Sequence, residues 1–175
     1  MLRQIQTEEI NTQLFDGFRR YQDVRRCWRK IDNQWEIVDI SFTEDWDQAQ
    51  YAELASGLRR TIEDGGAVFG VFEGNRLRGF ASVEAQPMGS QGQYLELSGI
   101  HVSQESRGCG VGRRLFAAAR AWAADHGARK LYISAHSSVE SQAFYRAMGC
   151  CEAQEYSPLH VEKEPYDCQL EADVI

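Results

Sequence analysis

The stretch from Gln93 to Gly127 constrains the fold more than any other part of the chain. It begins as a strand pattern, QYLELSGIHVS (93–103), with Leu95, Leu97, Ile100 and Val102 apolar; the change of phase near Ser98-Gly99 predicts a bulge. It ends as a helix pattern from about Val111 to His126, where Val111, Leu115, Ala119, Trp122 and Ala123 share one face and Gly127 supplies the stop. Between the two lies RGCGVGRR. Glycines at 108, 110 and 112 can adopt positive φ and turn their N–H groups towards one point. The helix that starts there adds its unsatisfied amides and the positive end of its dipole. Such a loop suits a phosphate or pyrophosphate, and Arg107, Arg113 and Arg114 add positive charge. The plainer alternative is a Gly-rich turn that only ends a strand.

Two familiar phosphate loops fit poorly. A Walker loop needs G-x-x-x-x-G-K-[ST], and no Lys-Ser/Thr pair follows the glycines. A dinucleotide fingerprint needs G-x-G-x-x-G at the opening of the sheet, whereas G-x-G-x-G here follows several strands.

The remaining chain reads as mixed α/β. Leu2 to Gln6 suits a short strand, and CWRKIDNQWEIVDI a hairpin about Asp32-Asn33. Thr43 is a candidate N-cap for a helix carrying Trp46, Leu54, Leu58 and Ile62 and stopped by Gly65-Gly66. AVFGVF (67–72) and LRGFASVEA (77–85) form a hairpin through Gly74-Asn75. LYISA (131–135) is a strand, Ser137 and Glu140 form a capping box for a helix through Met148, and CCEAQE and YDCQLEADV are two closing strands. No repeat or linker divides the 175 residues, which are the size of one domain.

On these residues the chain resembles the GNAT superfamily of N-acetyltransferases. Arg107-Gly108-Cys109-Gly110-Val111-Gly112 matches the family's Q/R-x-x-G-x-G/A loop throughout. SSVESQAFYRAMGC is similar to its later N-x-x-A-x-x-F-Y-x-x-x-G-F signature, with Phe144, Tyr145 and Gly149 in place. Ser138, Ser141 and Cys150 stand where the family has Asn, Ala and Phe. The resemblance covers roughly residues 67–151. It implies a single-domain α/β fold: a mixed, mostly antiparallel sheet of about six or seven strands flanked by helices, splayed between the family's fourth and fifth strands. Residues 67–151 are then the acetyl-CoA-binding core, 1–66 an acceptor-side part and 152–175 the C-terminal strands.

The resemblance also implies site roles. Backbone groups of Ile100, His101 and Val102 would contact the thioester and pantetheine. The loop Arg107, Gly108, Cys109, Gly110, Val111, Gly112 and Arg113 would bind the pyrophosphate, with Ser138 at the position of the family's pantetheine-contacting Asn. Tyr145 would be the general acid, since a phenol can protonate a coenzyme thiolate. Glu96 is the candidate base, acting directly or through water, with Glu84 and His101 in reserve. Cys109, at a variable position of the motif, is read as passive. Acetyl-CoA is expected as co-substrate, and no metal: the five cysteines form no C-x-x-C pair and no His lies at zinc-finger spacing.

Charge and hydropathy limit the partners. A net charge of −7 and a pI near 5.1 are a poor nucleic-acid footprint. The basic run RRYQDVRRCWRK (19–30) is the exception, read as a solvated face in preference to a binding patch. No apolar run suits a membrane span and MLRQIQTEEI is no signal peptide, so a cytoplasmic location is expected. The leading expectation is direct acetyl transfer to a primary amine of a small cationic molecule; the acids Glu152, Glu155, Glu162, Glu164 and Asp167 read equally as an attraction for such an acceptor and as a solvated surface. Acetylation of a protein Lys or N-terminus, and a non-catalytic acetyl-CoA-binding regulatory module, are the alternatives; a homodimer is left open.

Overall fold

Alternation along the strands and amphipathic helices divide the chain into two faces of one sheet. The structure, a computed structural model, describes residues 1–175. Its strands and helices run β1 (Leu2–Gln4), β2 (Tyr21–Ile31), β3 (Gln34–Asp45), α1 (Gln48–Glu63), β4 (Ala67–Glu73), β5 (Arg76–Val83), β6 (Tyr94–Val102), α2 (Val111–Asp125), β7 (Lys130–Ala135), α3 (Val139–Ala147), β8 (Cys151–Glu152), α4 (Pro158–Lys163) and β9 (Cys168–Asp173). Seven strands form one sheet in the order β1-β4-β5-β6-β7-β9-β8, while β2 and β3 make a separate two-stranded ribbon. Every pairing is antiparallel except β6 with β7. This is the mixed, mostly antiparallel sheet that the family resemblance implies.

The β6–β7 pair positions the site. It holds over three residues, Tyr94–Glu96 against Lys130–Tyr132, and then parts. Beyond that point β6 continues with β5 and β7 with β9, so a V-shaped opening is left in the sheet. Ser82 pairs with Gly99 and Val83 with Leu97, leaving Ser98 as the extra residue of a bulge where the phase change predicts one.

On one face, Leu95 and Leu97 of β6 join Val111, Leu115, Phe116 and Ala119 of α2 in the larger core. On the other, Val68, Leu77 and Phe80 pack against Tyr51, Ala55 and Leu58 of α1. Side chains on a strand alternate between faces, so Glu96 and, beyond the bulge, His101 belong to the α1 side, and Ile100 and Val102 to the α2 side.

The ribbon turns at Asp32 and Asn33, both at positive φ (48° and 64°), as a tight hairpin requires. Its Trp28 and Trp35 pack against the larger core, and it is tied down at several points. Trp28 N–H donates to Ser137 O (2.8 Å), Lys30 pairs with Glu152 (2.6 Å), and Trp35 Nε1 donates to Glu152 Oε2 (3.0 Å). The bond from Lys30, with those from Tyr156 and Trp35, holds the Glu152 carboxyl down at about 2.

Four expectations differ from the structure. Thr43 caps nothing: residues 43–45 pair with 21–23 in the ribbon, and α1 is capped by Asp47, whose side chain forms a capping box with Gln50. The cap of α3 is Ser138, which accepts from Ser141 N, in place of Ser137. CCEAQE contributes only the two-residue β8, because the chain leaves the sheet after Glu152. Finally, α4 was not foreseen, although Ser157-Pro158, a small polar residue before Pro at the first helical position, signals a helix start.

Candidate active site

A cleft of about 390 Å³ opens between β6, the 106–113 loop and α3. Ile100, His101, Val102, Arg107, Gly108, Gly110, Val111, Gly112, Arg113 and Tyr145, all singled out from the sequence, line it together. Cys109, Glu96 and Ser138 do not. Cys109 lies exposed on the outside of the loop, its Sγ 3.7 Å from Arg107 O.

The loop owes its shape to two left-handed glycines, Gly108 (φ 75°) and Gly110 (φ 77°), the second being the N-cap of α2. Gly112 serves differently. It is helical, and a Cβ there would lie 2.9 Å from the Phe144 ring, so its small size brings α2 against α3. No backbone acceptor takes the N–H groups of residues 108–113, which are therefore free for a ligand at the helix N-terminus. Arg107 is anchored by donating to Tyr21 O and to Val102 O (3.4 Å), and Arg113 is exposed at the rim. A cradle of free amides, helix dipole and arginines fits a pyrophosphate.

Tyr145 enters from α3. Its ring packs edge-on to Phe144 (centroids 5.2 Å apart), and no protein group bonds its hydroxyl. Burial pushes the phenol well above its ordinary value, with Cys150 and Asp167 adding to the shift and Arg20 opposing it. The group is thus a protonated hydroxyl at all physiological pH.

Opposite Tyr145 stands a group invisible in the sequence. Arg20, at the mouth of β2, is 9% exposed. Its backbone N–H donates to Tyr51 Oη (3.0 Å), and its carbonyl accepts from Trp46 N–H (3.2 Å), so α1 and the residue leading into it fix its backbone. The guanidinium donates from Nε to His101 Nδ1 (3.1 Å) and from Nη2 to Glu44 Oε2 (2.9 Å), above the Trp46 ring. Burial, reinforced by Arg20 and Arg107, lowers the His101 imidazole to about 3, so it is neutral with the accepting nitrogen towards Arg20.

Carboxylates gather on the α1 side. Glu84 Oε1 accepts from Thr61 Oγ1 (2.9 Å) and from the hydroxyl of bulge residue Ser98. Glu44 Oε1 lies 3.9 Å from His136 Nε2. Asp167 accepts from Ser134 Oγ (3.1 Å), and burial, with Glu164 and Glu44 nearby, raises its carboxyl above the ordinary value. Glu96 faces His160 of α4, Nε2 to Oε1 at 2.8 Å, while His160 Nδ1 meets Ser157 Oγ at 2.7 Å. With its Nε2 protonated towards Glu96, the ring accepts the Ser157 hydroxyl proton at Nδ1, linking the three side chains in one chain of hydrogen bonds. Ser138 is fully buried and spent on structure: its Oγ accepts from Gln22 Nε2 (3.0 Å) and Ser141 N (3.2 Å) and donates to Ser141 Oγ (2.9 Å).

The basic run 19–30 resolves into separate tasks. Arg20 enters the cleft, Arg29 Nη1 donates to Ser137 Oγ (2.6 Å), Lys30 pairs with Glu152, and Arg25 lies exposed beside Asp23. No helix is long and apolar enough to cross a membrane.

The fold is that of known acetyltransferases. A crystal structure of nourseothricin acetyltransferase superposes with a TM-score of 0.73 at 16% identity, covering 100% of this chain and 98% of the other. A structure from Bacillus anthracis str. Ames, assigned as a streptothricin acetyltransferase and solved with acetyl coenzyme A, gives 0.68 at 15% identity, covering 98% and 95%. An IAA acetyltransferase from Bacillus cereus ATCC 14579 gives 0.57 at 17%, covering 99% and 98%. No curated protein matches the chain by sequence. The acetyltransferase (GNAT) family profile does match, over residues 28–150, a span that takes in β3, the glycine loop and Tyr145. The chain therefore belongs to the acetyltransferase (GNAT) family and is an acetyl-CoA-dependent acyltransferase.

Proposed function

We propose that the protein transfers the acetyl group of acetyl-CoA directly to a primary amine of a small cationic molecule. The observation that carries this reading is the division of the split sheet. An amide-rich loop and a protonated tyrosine stand on the α2 side, and Glu44, Glu84, Glu96 and Asp167 stand on the α1 side. Anion-binding groups suit the coenzyme, and the carboxylates suit a protonated amine. Residues 67–151 then form the coenzyme-binding core, and residues 1–66, with α1 and the ribbon, form the acceptor side. Two structures with this fold are named as acetyltransferases of nourseothricin and of streptothricin.

The coenzyme, when bound, supplies an activated acetyl thioester. The free amides of residues 108–113, with Arg107 and Arg113, hold its pyrophosphate, and the open edge of Ile100–Val102 receives the pantetheine and thioester. Glu96, held by His160, takes the ammonium proton directly or through water. Tyr145 gives its phenolic proton to the departing thiolate, for which a raised pKa keeps the proton in place until needed.

Thiol release from acetyl-CoA, measured with polyamines, aminoglycosides, amino acids and lysine peptides, tests the reading when paired with Tyr145→Phe. A polyamine or aminoglycoside should turn over best. Tyr145→Phe should lower kcat by about 10–1000-fold with acetyl-CoA binding intact. Turnover confined to peptides would replace the small-molecule acceptor with a protein one. A full-rate phenylalanine variant, with chemistry rate-limiting, would assign proton donation elsewhere.

A further inference from the structure

Arg20 carries a hydrogen-bonding capacity that the protein does not use. Its Nη1 is the one buried side-chain nitrogen or oxygen without a partner. The residue is only 9% exposed and lines the cleft beside Ile100, His101 and Val102. Buried polar groups in native proteins are satisfied almost without exception, so an orphan on a cleft wall points to a ligand atom. The charge on Arg20 is already matched by Glu44 at 2.9 Å, and Nε is spent on His101. What Nη1 lacks is an oxygen acceptor, not a counter-ion.

We propose that Arg20 is a catalytic residue whose Nη1 donates to the thioester carbonyl oxygen of the acyl donor and stabilises the negative charge that builds there. The inference rests on the acetyl-CoA reading above. Its placement favours this oxygen over a carboxylate on the acceptor, which would have to approach through Glu44, Glu84, Glu96 and Asp167. Arg20 is rigid where such a donor must be: three elements hold it, through Tyr51 and Trp46 at its backbone and His101 and Glu44 at its guanidinium. A fixed donor aimed at developing charge stabilises it without reorganisation. As the amine nitrogen bonds to the carbonyl carbon, the oxygen gains charge and meets Nη1–H. As the C–S bond breaks, that electron pair re-forms the carbonyl and the thiolate takes the proton of Tyr145; the second nitrogen proton, beyond the one Glu96 removed from the ammonium, passes to the phenolate and restores Tyr145.

The test compares wild type with Arg20→Gln and Arg20→Lys, each checked for folding by circular dichroism. Calorimetric titration with acetyl-CoA and with CoA separates the thioester oxygen from the pantetheine amides, which both ligands share. The variants should lose the affinity difference between acetyl-CoA and CoA, and kcat should fall by about 10²–10³-fold with the acceptor KM within twofold. In bound [1-¹³C]acetyl-CoA, the carbonyl stretch should lie lower in wild type than in the variants. Equal weakening of both coenzyme forms, a raised acceptor KM alone, or an unmoved carbonyl stretch would overturn the proposal. Should neither variant fold, wild type labelled with [¹⁵N]arginine decides: the Arg20 Nη resonance must shift with acetyl-CoA and not with CoA, and an identical response to both refutes it. Wild type that binds neither ligand would instead refute the acetyl-CoA reading itself.

Discussion

His101 shows what burial beside a guanidinium does to a single side chain. The imidazole has an ordinary pKa of 6.5, lowered in the fold to about 3 by burial, with Arg20 and Arg107 opposing its protonation further. The unfolded chain therefore takes up a proton below 6.5 that the folded chain refuses. The stability owed to neutral His101 is complete above that pH and is lost as pH falls from 6.5 towards 3. At pH 5 the loss amounts to about 2 kcal/mol. His101→Asn keeps an acceptor for Arg20 Nε but has nothing to titrate, so its stability should decline less between pH 7 and 5. Urea denaturation at both pH values measures this, and parallel declines in the two proteins would show that other groups dominate. The sequence marks His101 as a backbone contact to the thioester and a reserve base, but not as the partner of an arginine. Its partner Arg20 lies 81 positions away within a run of basic residues, and no local pattern separates that arginine from its solvated neighbours.

Among the elements, the glycine loop was legible because its constraint is local. A left-handed backbone and free amides follow from Gly108 and Gly110 and from the helix that comes next, whatever the rest of the chain does. Gly112 shows the limit: its value lies in the approach of Phe144 from another helix, which spacing alone cannot reveal. The start of α1 was misplaced for a related reason. Thr43 is a sound cap in isolation, but pairing of residues 43–45 with β2 draws them into the ribbon, and the Asp47–Gln50 box then supplies a cap. The two glycines predict different outcomes. At Gly110 a Cβ would meet nothing within 4 Å, so Gly110→Val is resisted only by its φ of 77°, and a β-branched residue there must reshape the loop and redirect its amides. Acetyl-CoA affinity should fall at least tenfold, about 1.4 kcal/mol, while the fold survives. At Gly112 the added atom strikes an aromatic ring, so Gly112→Ala should lower thermal stability as well as affinity. Calorimetry of both folded variants checks this, and unchanged affinity in Gly110→Val would remove the loop from the coenzyme site.

At the scale of the molecule, the balance of charge sets how the two substrates arrive. The protein carries a net charge of −7, so its mean field repels an anionic coenzyme and attracts a cationic acceptor. Arg107 and Arg113 reverse that field only locally, at the loop. The acceptor side has no such reversal, since Arg20 is matched by Glu44, and Glu84, Glu96 and Asp167 have no Lys or Arg bonded to them. Salt shortens the reach of exposed charge to about 10 Å at 0.1 M and about 3 Å at 1 M. Raising ionic strength should therefore lower kcat/KM for a di- or polyamine acceptor several-fold, chiefly through KM, and should scarcely affect a monoamine of similar size. Acetyl-CoA should respond less, because attraction at the loop and repulsion by the whole protein are screened together. Initial rates from 0.02 to 0.5 M salt, with each substrate varied in turn, measure both effects. A polyamine KM that is flat or falls with salt would mean that the carboxylates on the α1 side do not bind the acceptor, and the cationic substrate class would have to be given up.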